Sequence, residues 1–359
     1  MNNNLKSIAI PQSLWSEILE SEEYLLHFLD IEKGHFGFIK TSRKLLSQAS
    51  FIDGRSQISI DQTLWHVPIE DALAWHAQAD HTERLNRYIF HSAFCGSTLL
   101  GRMLDIPGKT YVHKEPSILA QLADLKLSRH EIYLNTESWA NLLGFVSNQL
   151  NLPLSEGEVN LIKPSNWVNS ELRDLTILNG SSKFVLLYQS PMQFLTAVFR
   201  GGSERIEYVY SFLSQIRRIF PEFHDVIEEV ENNSFETVDL FSRLTIIAYA
   251  IQLRAFSQVI DLAGVANTAS YTYDKLMSDP ETSILQISNL LHLNLTEVEI
   301  SNSIKTHLPR HSKVQSRPYR QDEMVSVDKE VLSHYQQNFD SSIDWLVNRM
   351  DSTVLGIVK

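Results

Sequence analysis

The chain has 359 residues, of which 43% are hydrophobic, so it can bury a large core in one domain with an addition or in two domains. Its formal net charge of -12 argues against a general nucleic-acid or anionic-membrane binder, because phosphate groups require clustered Lys and Arg. The single cysteine, Cys95, excludes an internal disulfide. The polar N-terminus resembles no secretory signal and the apolar run Leu244 to Ile251 is too short to span a bilayer, so we expect a cytoplasmic protein without a membrane span.

Residues 1 to 85 carry no recognisable chemical motif and predict an N-terminal α+β addition to a main domain of residues 86 to 359. Apolar residues at helical spacing predict a helix from Gln12 to about Phe28. Alternation over His35 to Ile39 and Lys44 to Phe51 predicts a small hairpin region. Helical spacing then returns from Asp61 to Ala79.

The stretch from Arg87 to Leu104 predicts a strand, a loop and a helix. Its first residues are apolar on both faces, as in a strand covered by helices on either side of a parallel sheet. Ser97 or Thr98 can cap the helix that follows. The first amides of such a helix have no internal partner and lie at its positive end, which predicts an anion site. The alternative is an ordinary strand-to-helix turn with a Ser or Thr cap.

Cys95 lies in this loop and allows two interpretations. A thiol beside a helix N-terminus can have a lowered pKa and act as a nucleophile. No His-Asn or His-Asp partner pattern is present, which favours a small residue that fills a tight loop.

Four further short strands follow along the chain, separated by stretches at helical spacing. The strands are Thr110 to His113, Val159 to Lys163, Lys183 to Tyr188 and Thr268 to Tyr273, and the longer helices are Glu137 to Leu150, Ile206 to Phe220, Glu236 to Leu262 and Val327 to Met350. Five strands, each reached through a crossover, predict an α/β fold with a doubly wound parallel sheet.

The run Cys95-Gly96-Ser97-Thr98-Leu99-Leu100 resembles the 5′-phosphosulfate loop of the sulfotransferase superfamily. Ser97 stands where a Walker A loop has its Lys, which disfavours an ordinary ATPase or GTPase. The strand ending in Tyr188-Gln189-Ser190-Pro191 and the segment Tyr271 to Pro280 are similar to two later segments of the family, in the same order. The resemblance covers about residues 87 to 320. It implies a P-loop-type sulfotransferase fold of about five strands.

The resemblance also implies a cofactor, 3′-phosphoadenylyl sulfate (PAPS), with adenosine 3′,5′-bisphosphate as product and no metal. The residues it places around the 5′-phosphosulfate are Phe94, Cys95, Gly96, Ser97, Thr98 and Leu99. Phe94 replaces the family's usual Lys or Arg, while Gln189 and Ala197 replace the Arg and Ser that hold the 3′-phosphate. Arg200 lies one helical turn beyond Ala197 on the same helix face and is a candidate replacement. Lys313 and Arg317, in a basic C-terminal segment, are further candidates.

Charged residues follow two of the strands at the edge where ligands bind in open α/β sheets. Lys114-Glu115-Pro116 is similar to the segment that holds the general base in several sulfotransferases, so Glu115 is the candidate base. Lys114 or Lys163 is the candidate to stabilise charge on the bridging oxygen. The alternative interpretation of Lys114 and Glu115 is a solvated ion pair at a loop. The alternative for Lys163 is a Lys whose aliphatic stem lies along a buried strand.

These residues lead to three hypotheses of function. The first is transfer of a sulfonate from PAPS to a hydroxyl of a small-molecule or glycan acceptor, with no nucleic-acid partner. The second is a degenerate sulfotransferase-fold protein that binds a nucleotide or anion without sulfuryl transfer. The third is phosphoryl transfer with an unusual loop, although the chain lacks the Walker Lys and an obvious magnesium-binding acid.

Overall fold

The computed structural model describes residues 5–78, 84–310 and 321–356. A four-stranded sheet occupies the N-terminal part, in the order β1-β4-β3-β2. Strands β1 and β4 pair in parallel, and the other two pairs are antiparallel. The elements here are β1 (Lys6–Ala9), α1 (Trp15–Glu20), β2 (Tyr24–Asp30), β3 (His35–Lys40), α2 (Arg43–Gln48), β4 (Thr63–Pro68) and α3 (Ile69–Gln78).

This sheet corrects the details predicted for the N-terminal part. The predicted helix from Gln12 ends at Glu20, because the apolar residues after it form β2 and pair with β3. The segment predicted as the second hairpin strand is helix α2, which begins at the cap Ser42. The predicted helix from Asp61 begins as β4 instead. Pairing with β3 outweighs local helical spacing in β2 and β4.

The five-stranded sheet is parallel throughout, in the order β6-β7-β5-β8-β9, which confirms the predicted α/β fold with a doubly wound sheet. Its strands are β5 (Arg87–His91), β6 (Thr110–Lys114), β7 (Val159–Lys163), β8 (Lys183–Tyr188) and β9 (Thr268–Thr272). The helices between and after them are α4 (Ser97–Met103), α5 (Ser117–Leu127), α6 (Glu131–Leu134), α7 (Thr136–Leu150), α8 (Leu172–Leu178), α9 (Pro191–Arg200), α10 (Gly202–Ile216), α11 (His224–Asn232), α12 (Thr237–Ala263), α13 (Tyr273–Ser278), α14 (Pro280–Leu290), α15 (Glu297–His307) and α16 (Gln321–Arg349).

Both faces of the parallel sheet are covered, since its side chains alternate between two buried clusters. Ile89 and Val185 pack with α4, α14 and α15 on one face. Phe90 and Phe184 face a larger core that includes α7, α9 and α12. That larger core extends into the N-terminal sheet, where Phe36 stacks near Phe145 of α7 with ring centroids 4.6 Å apart. The expected boundary after residue 85 therefore separates two sheets that share one core.

Helix α12 has the length and hydropathy that a membrane-crossing helix needs, with a mean hydropathy of 1.3 in its most apolar 18-residue window. However, 61% of that window is buried inside the fold. The helix contacts α8, α9, α10 and α16, as is typical of a helix at the centre of a protein core.

The order of the strands fixes where a ligand can enter. The chain leaves β5 towards β6 at one edge of the sheet and leaves β8 towards β9 at the other, although β5 and β8 are neighbours. Their carboxyl ends therefore flank the crevice at which open α/β sheets bind ligands. The loop from Ser92 to Gly96 and the turn at Gln189 lie at this position.

Candidate active site

The loop after β5 has an unusual backbone. Ala93, Phe94 and Gly96 have positive φ angles of 66°, 53° and 79°, and only the last of them is a glycine. Side chains at positive φ are strained, and such residues are concentrated at functional sites. Two contacts hold the entry to the loop: the Ser92 amide donates to the Leu187 carbonyl at 3.0 Å and the Ala93 amide donates to His91 Nδ1 at 3.1 Å.

The rest of the loop presents backbone donors without partners. Within the described residues, no acceptor takes a hydrogen bond from the amides of Phe94, Cys95, Gly96, Thr98 or Leu99. The Leu100 amide, by contrast, donates to the Gly96 carbonyl at 3.1 Å and begins the pairing of α4. Consecutive unpaired amides in left-handed backbone form a concavity that favours an anion. The predicted cap is wrong, because Gly96 occupies the N-cap position and neither hydroxyl caps the helix.

Gly96 is needed for a second reason. A Cβ atom added to it would lie 2.7 Å from two ring carbons of Tyr273, the first residue of α13. The ring therefore covers this part of the loop so closely that no side chain fits. The glycine in the motif is explained by both its positive φ and this contact.

Cys95 is fully buried, and its Sγ donates to the Leu187 carbonyl at 3.3 Å. Burial raises the pKa of the thiol to about 11, although nearby Ser92 and Lys163 oppose the shift. A thiol with this pKa is protonated at neutral pH, which favours the interpretation that Cys95 is a small residue filling a tight loop.

Glu115, the candidate base, and Lys163, a candidate to stabilise charge, are in contact at the ends of β6 and β7. Lys163 Nζ lies 2.8 Å from Glu115 Oε1 and is fully buried. Glu115 has a positive φ of 59°, and its other oxygen lies 2.8 Å from the guanidinium of Arg55. His91 Nε2 lies 3.2 Å from Lys163 Nζ and 3.0 Å from the Pro164 carbonyl. The carboxylate is thus held between two cations.

Lys114 lies apart from this group. It is fully buried, and its Nζ contacts Asp105 Oδ2 and the Ser47 carbonyl, both at 3.1 Å. Burial lowers the pKa of its ammonium to about 8, while Asp105 opposes the shift. The neighbouring Arg43 pairs with Asp105 at 2.7 Å. This ionic network joins α2 to the end of α4, which corrects the expectation that Lys114 lies beside the reacting group.

The predicted 3′-phosphate site contains neutral side chains. Gln189 is 5% exposed, and its Nε2 has no hydrogen-bond partner among the described residues. Ala197 is buried in α9. Arg200, the proposed replacement cation, forms an ion pair with Asp328 of α16. Lys313 and Arg317 lie outside the described residues.

Two arginines that the sequence analysis missed lie at the site. Arg55 follows a turn in the N-terminal part, with its guanidinium 3.7 Å from the Phe51 ring centroid, and it reaches Glu115 across 60 residues of sequence. Arg205 of α10 places its guanidinium carbon 4.6 Å from the ring centroid of Phe94. In the sequence, Arg205 closely follows the glycine pair Gly201-Gly202, which is the feature that could have drawn attention to it. No feature of the neighbouring sequence distinguishes Arg55.

Two other features bear on the location of the site. The described residues contain no group of three or more His, Cys, Asp or Glu side chains that could hold a metal ion. A cavity of about 560 Å³ lies between the N-terminal sheet and α7, lined by residues such as His35, Glu70 and Asn141. It includes none of the residues described above.

No protein-family model matches the chain, and no curated protein matches it. Among solved structures, the chain is similar to sulfotransferases, the family that its motifs resemble. The sulfotransferase domain of the curacin biosynthetic pathway is 14% identical, with a TM-score of 0.41 over 74% of this chain and 98% of that one. The sulfotransferase domain of the Synechococcus PCC 7002 olefin synthase is 14% identical, with a TM-score of 0.39 over 71% and 90%. A sulfotransferase from Mycobacterium avium is 11% identical, with a TM-score of 0.40 over 76% and 84%. Similarities this distant identify neither a substrate nor a reaction, so both have to be inferred from the residues of the site.

Proposed function

We propose that the chain is a sulfotransferase-like enzyme that transfers a sulfonate from PAPS to a hydroxyl of a small molecule or glycan. One observation carries the proposal: five unpaired amides in the strained loop after β5, at the switch point of the sheet. The loop sequence is the one that resembles the 5′-phosphosulfate loop. Unpaired amides in left-handed backbone suit a phosphate or a sulfonate.

In this proposal Glu115 takes the proton of the acceptor hydroxyl. The acceptor oxygen forms a bond to sulfur while the bond from sulfur to the phosphate oxygen breaks, and adenosine 3′,5′-bisphosphate leaves. Lys163 stabilises charge at this end of the sheet. Each Glu115 oxygen keeps a lone pair beside its cation, and movement of one of the cations would give the acceptor hydroxyl more room. Arg55 is the partner that can move, because its side chain is 55% exposed whereas Lys163 is fully buried.

Calorimetric titration with adenosine 3′,5′-bisphosphate tests the donor, with adenosine 5′-phosphate as the matched comparison. We expect the bisphosphate to bind, and labelled PAPS to lose its sulfonate when a panel of hydroxyl compounds is added. Absence of binding by the bisphosphate at millimolar concentration would show that PAPS is not the donor.

A second candidate function is binding of the nucleotide without transfer. It is favoured by the engagement of both Glu115 oxygens and by the neutral residues Phe94, Gln189 and Ala197. In that case the bisphosphate binds, but PAPS stays intact with every acceptor of the panel. The same pair of measurements therefore separates the two functions.

A further inference from the structure

Arg205 is a cation that the fold holds beside the loop without an obvious structural partner. Its guanidinium carbon lies 4.6 Å from the Phe94 ring centroid, within the range of a cation–π contact. Its stem passes over Gly201, where an added Cβ would come within 2.4 Å of three Arg205 side-chain atoms. The absence of a side chain at Gly201 thus gives Arg205 its path to the loop.

The charge of Arg205 is opposed by carboxylates at longer range, those of Glu204 and Asp328, and by no direct ion pair among the described residues. No carboxylate of the described residues lies within ion-pair distance of its guanidinium, and its hydrogen bond goes to the neutral Ala197 carbonyl. Burial lowers the pKa of the group, and the neighbouring Arg200 acts in the same direction. Arg200 itself is neutralised by Asp328. A half-buried guanidinium without a direct carboxylate partner favours an anionic ligand.

Arg205 also lies where the loop lacks charge. The resemblance implies a Lys or Arg at the position of Phe94, and Lys163, a candidate to stabilise charge on the bridging oxygen, is paired with Glu115. The Arg205 guanidinium over the Phe94 ring is a cation at the loop that no carboxylate pairs with directly among the described residues, in contrast to Lys163.

We propose that Arg205, a residue of α10 and not of the loop, supplies the positive charge that holds the anion bound at the amides of Phe94 to Leu99. This assignment rests on the proposed function, since it takes that anion to be the 5′ phosphate end of the nucleotide. In this proposal the cation comes from α10, whose Arg205 lies over the Phe94 ring, and not from the loop position where the resemblance implies a Lys or Arg.

The test is titration of adenosine 3′,5′-bisphosphate and adenosine 5′-phosphate into four variants. Arg205→Gln keeps a donor for the Ala197 carbonyl but removes the charge, and we expect it to weaken both nucleotides by about 10–100-fold. Adding Phe94→Lys to Arg205→Gln restores a cation at the loop, and we expect it to recover most of that affinity. Arg217→Gln is the matched control, because Arg217 pairs with Glu231 at the surface, and it should bind like the wild type. Arg205→Met, which keeps the stem over Gly201, replaces Arg205→Gln should the latter fail to fold.

Each outcome decides between the claims. Equal affinity of wild type and Arg205→Gln, or of wild type and Arg205→Met, overturns the assignment of Arg205 and leaves the proposed function standing. A loss confined to the bisphosphate overturns the assignment to the loop, since it places Arg205 at the 3′-phosphate. If the wild type binds neither nucleotide, the proposed function fails and this assignment fails with it.

Discussion

The two halves of the carboxyl edge of the parallel sheet differ in how their polar groups are satisfied. At the β6–β7 end, Lys163 pairs with Glu115 and Glu115 pairs with Arg55. At the β5–β8 end, five amides are unpaired and the Arg205 cation has no carboxylate among the described residues. Unpaired buried groups cost stability, so a fold retains them where a ligand completes them. The difference supports the proposal that the β5–β8 half binds the anion, whereas the polar groups of the β6–β7 half are paired with one another.

Replacement of buried Lys163 should have the largest effect. Lys163→Met leaves Glu115 without its buried partner, and we expect a loss of about 3–5 kcal/mol in the free energy of unfolding, measured by urea denaturation. Lys114→Met is the matched control, because Lys114 faces Lys163 in register, is equally buried and pairs with Asp105. Both variants should be destabilised, but only Lys163→Met should lower turnover of the folded protein. Equal losses of turnover would show that Lys163 has no role in turnover that Lys114 lacks.

Glu115→Gln should follow in size. The amide keeps an oxygen for Lys163 but cannot accept the proton, so turnover should fall by roughly a hundredfold or more, which is about 2.7 kcal/mol. The affinity for adenosine 3′,5′-bisphosphate should stay nearly unchanged, because the proposed nucleotide site lies at the other half of the edge. Unchanged turnover would remove Glu115 from the mechanism. A fall in affinity as large as the fall in turnover would show that Glu115 also takes part in nucleotide binding, so that the two halves of the edge would not have separate roles.

A smaller effect is expected from the glycine of the loop. Gly96→Ala should cost about 2–3 kcal/mol of stability, because alanine is strained at φ 79° and its Cβ meets the Tyr273 ring. Gly157→Ala is the matched control: Gly157 has φ 80° but nothing within 4 Å, so about 1 kcal/mol should be lost. Thermal unfolding of both variants isolates the Tyr273 contact. Equal shifts in Tm would show that the ring yields to the new methyl group.

The sequence predicted the parallel sheet well and the N-terminal sheet poorly. Strands β5, β7 and β8 are short, mainly apolar runs bounded by turn residues, and buried parallel strands give this signal without help from their neighbours. In the N-terminal part, apolar residues of β2 also fit helical spacing, and only pairing with β3 decides between the two structures. That pairing is a tertiary contact, which local pattern does not contain.

The residues of the candidate site also differ in how well the sequence predicted them. Gly96, Glu115 and Lys163 could be found because the motif and the strand ends mark them in sequence. The positive φ of Ala93 and Phe94 has no sequence signal, since neither residue type favours that conformation. Arg55 and Arg205 come from distant elements, and Lys114 turns towards Asp105 because α2 packs there. These placements depend on how the helices pack, so they could not be predicted from spacing.

The smallest expected effect concerns Arg200, which the sequence analysis made the candidate for the 3′-phosphate. Because Asp328 already holds its guanidinium, a phosphate has to displace a carboxylate before it gains this cation. Partly exposed ion pairs contribute about 0–1 kcal/mol, so Arg200→Ala should weaken the bisphosphate by at most about 1 kcal/mol, well below the loss expected for Arg205→Gln. Asp328→Asn should act with the opposite sign, strengthening the bisphosphate by up to about fivefold while leaving adenosine 5′-phosphate unchanged. In the Arg200→Ala background the Asp328→Asn change should have no effect on either nucleotide. If Asp328→Asn changes both nucleotides equally, the Arg200 and Asp328 pair acts by positioning α16 and does not bind the 3′ group.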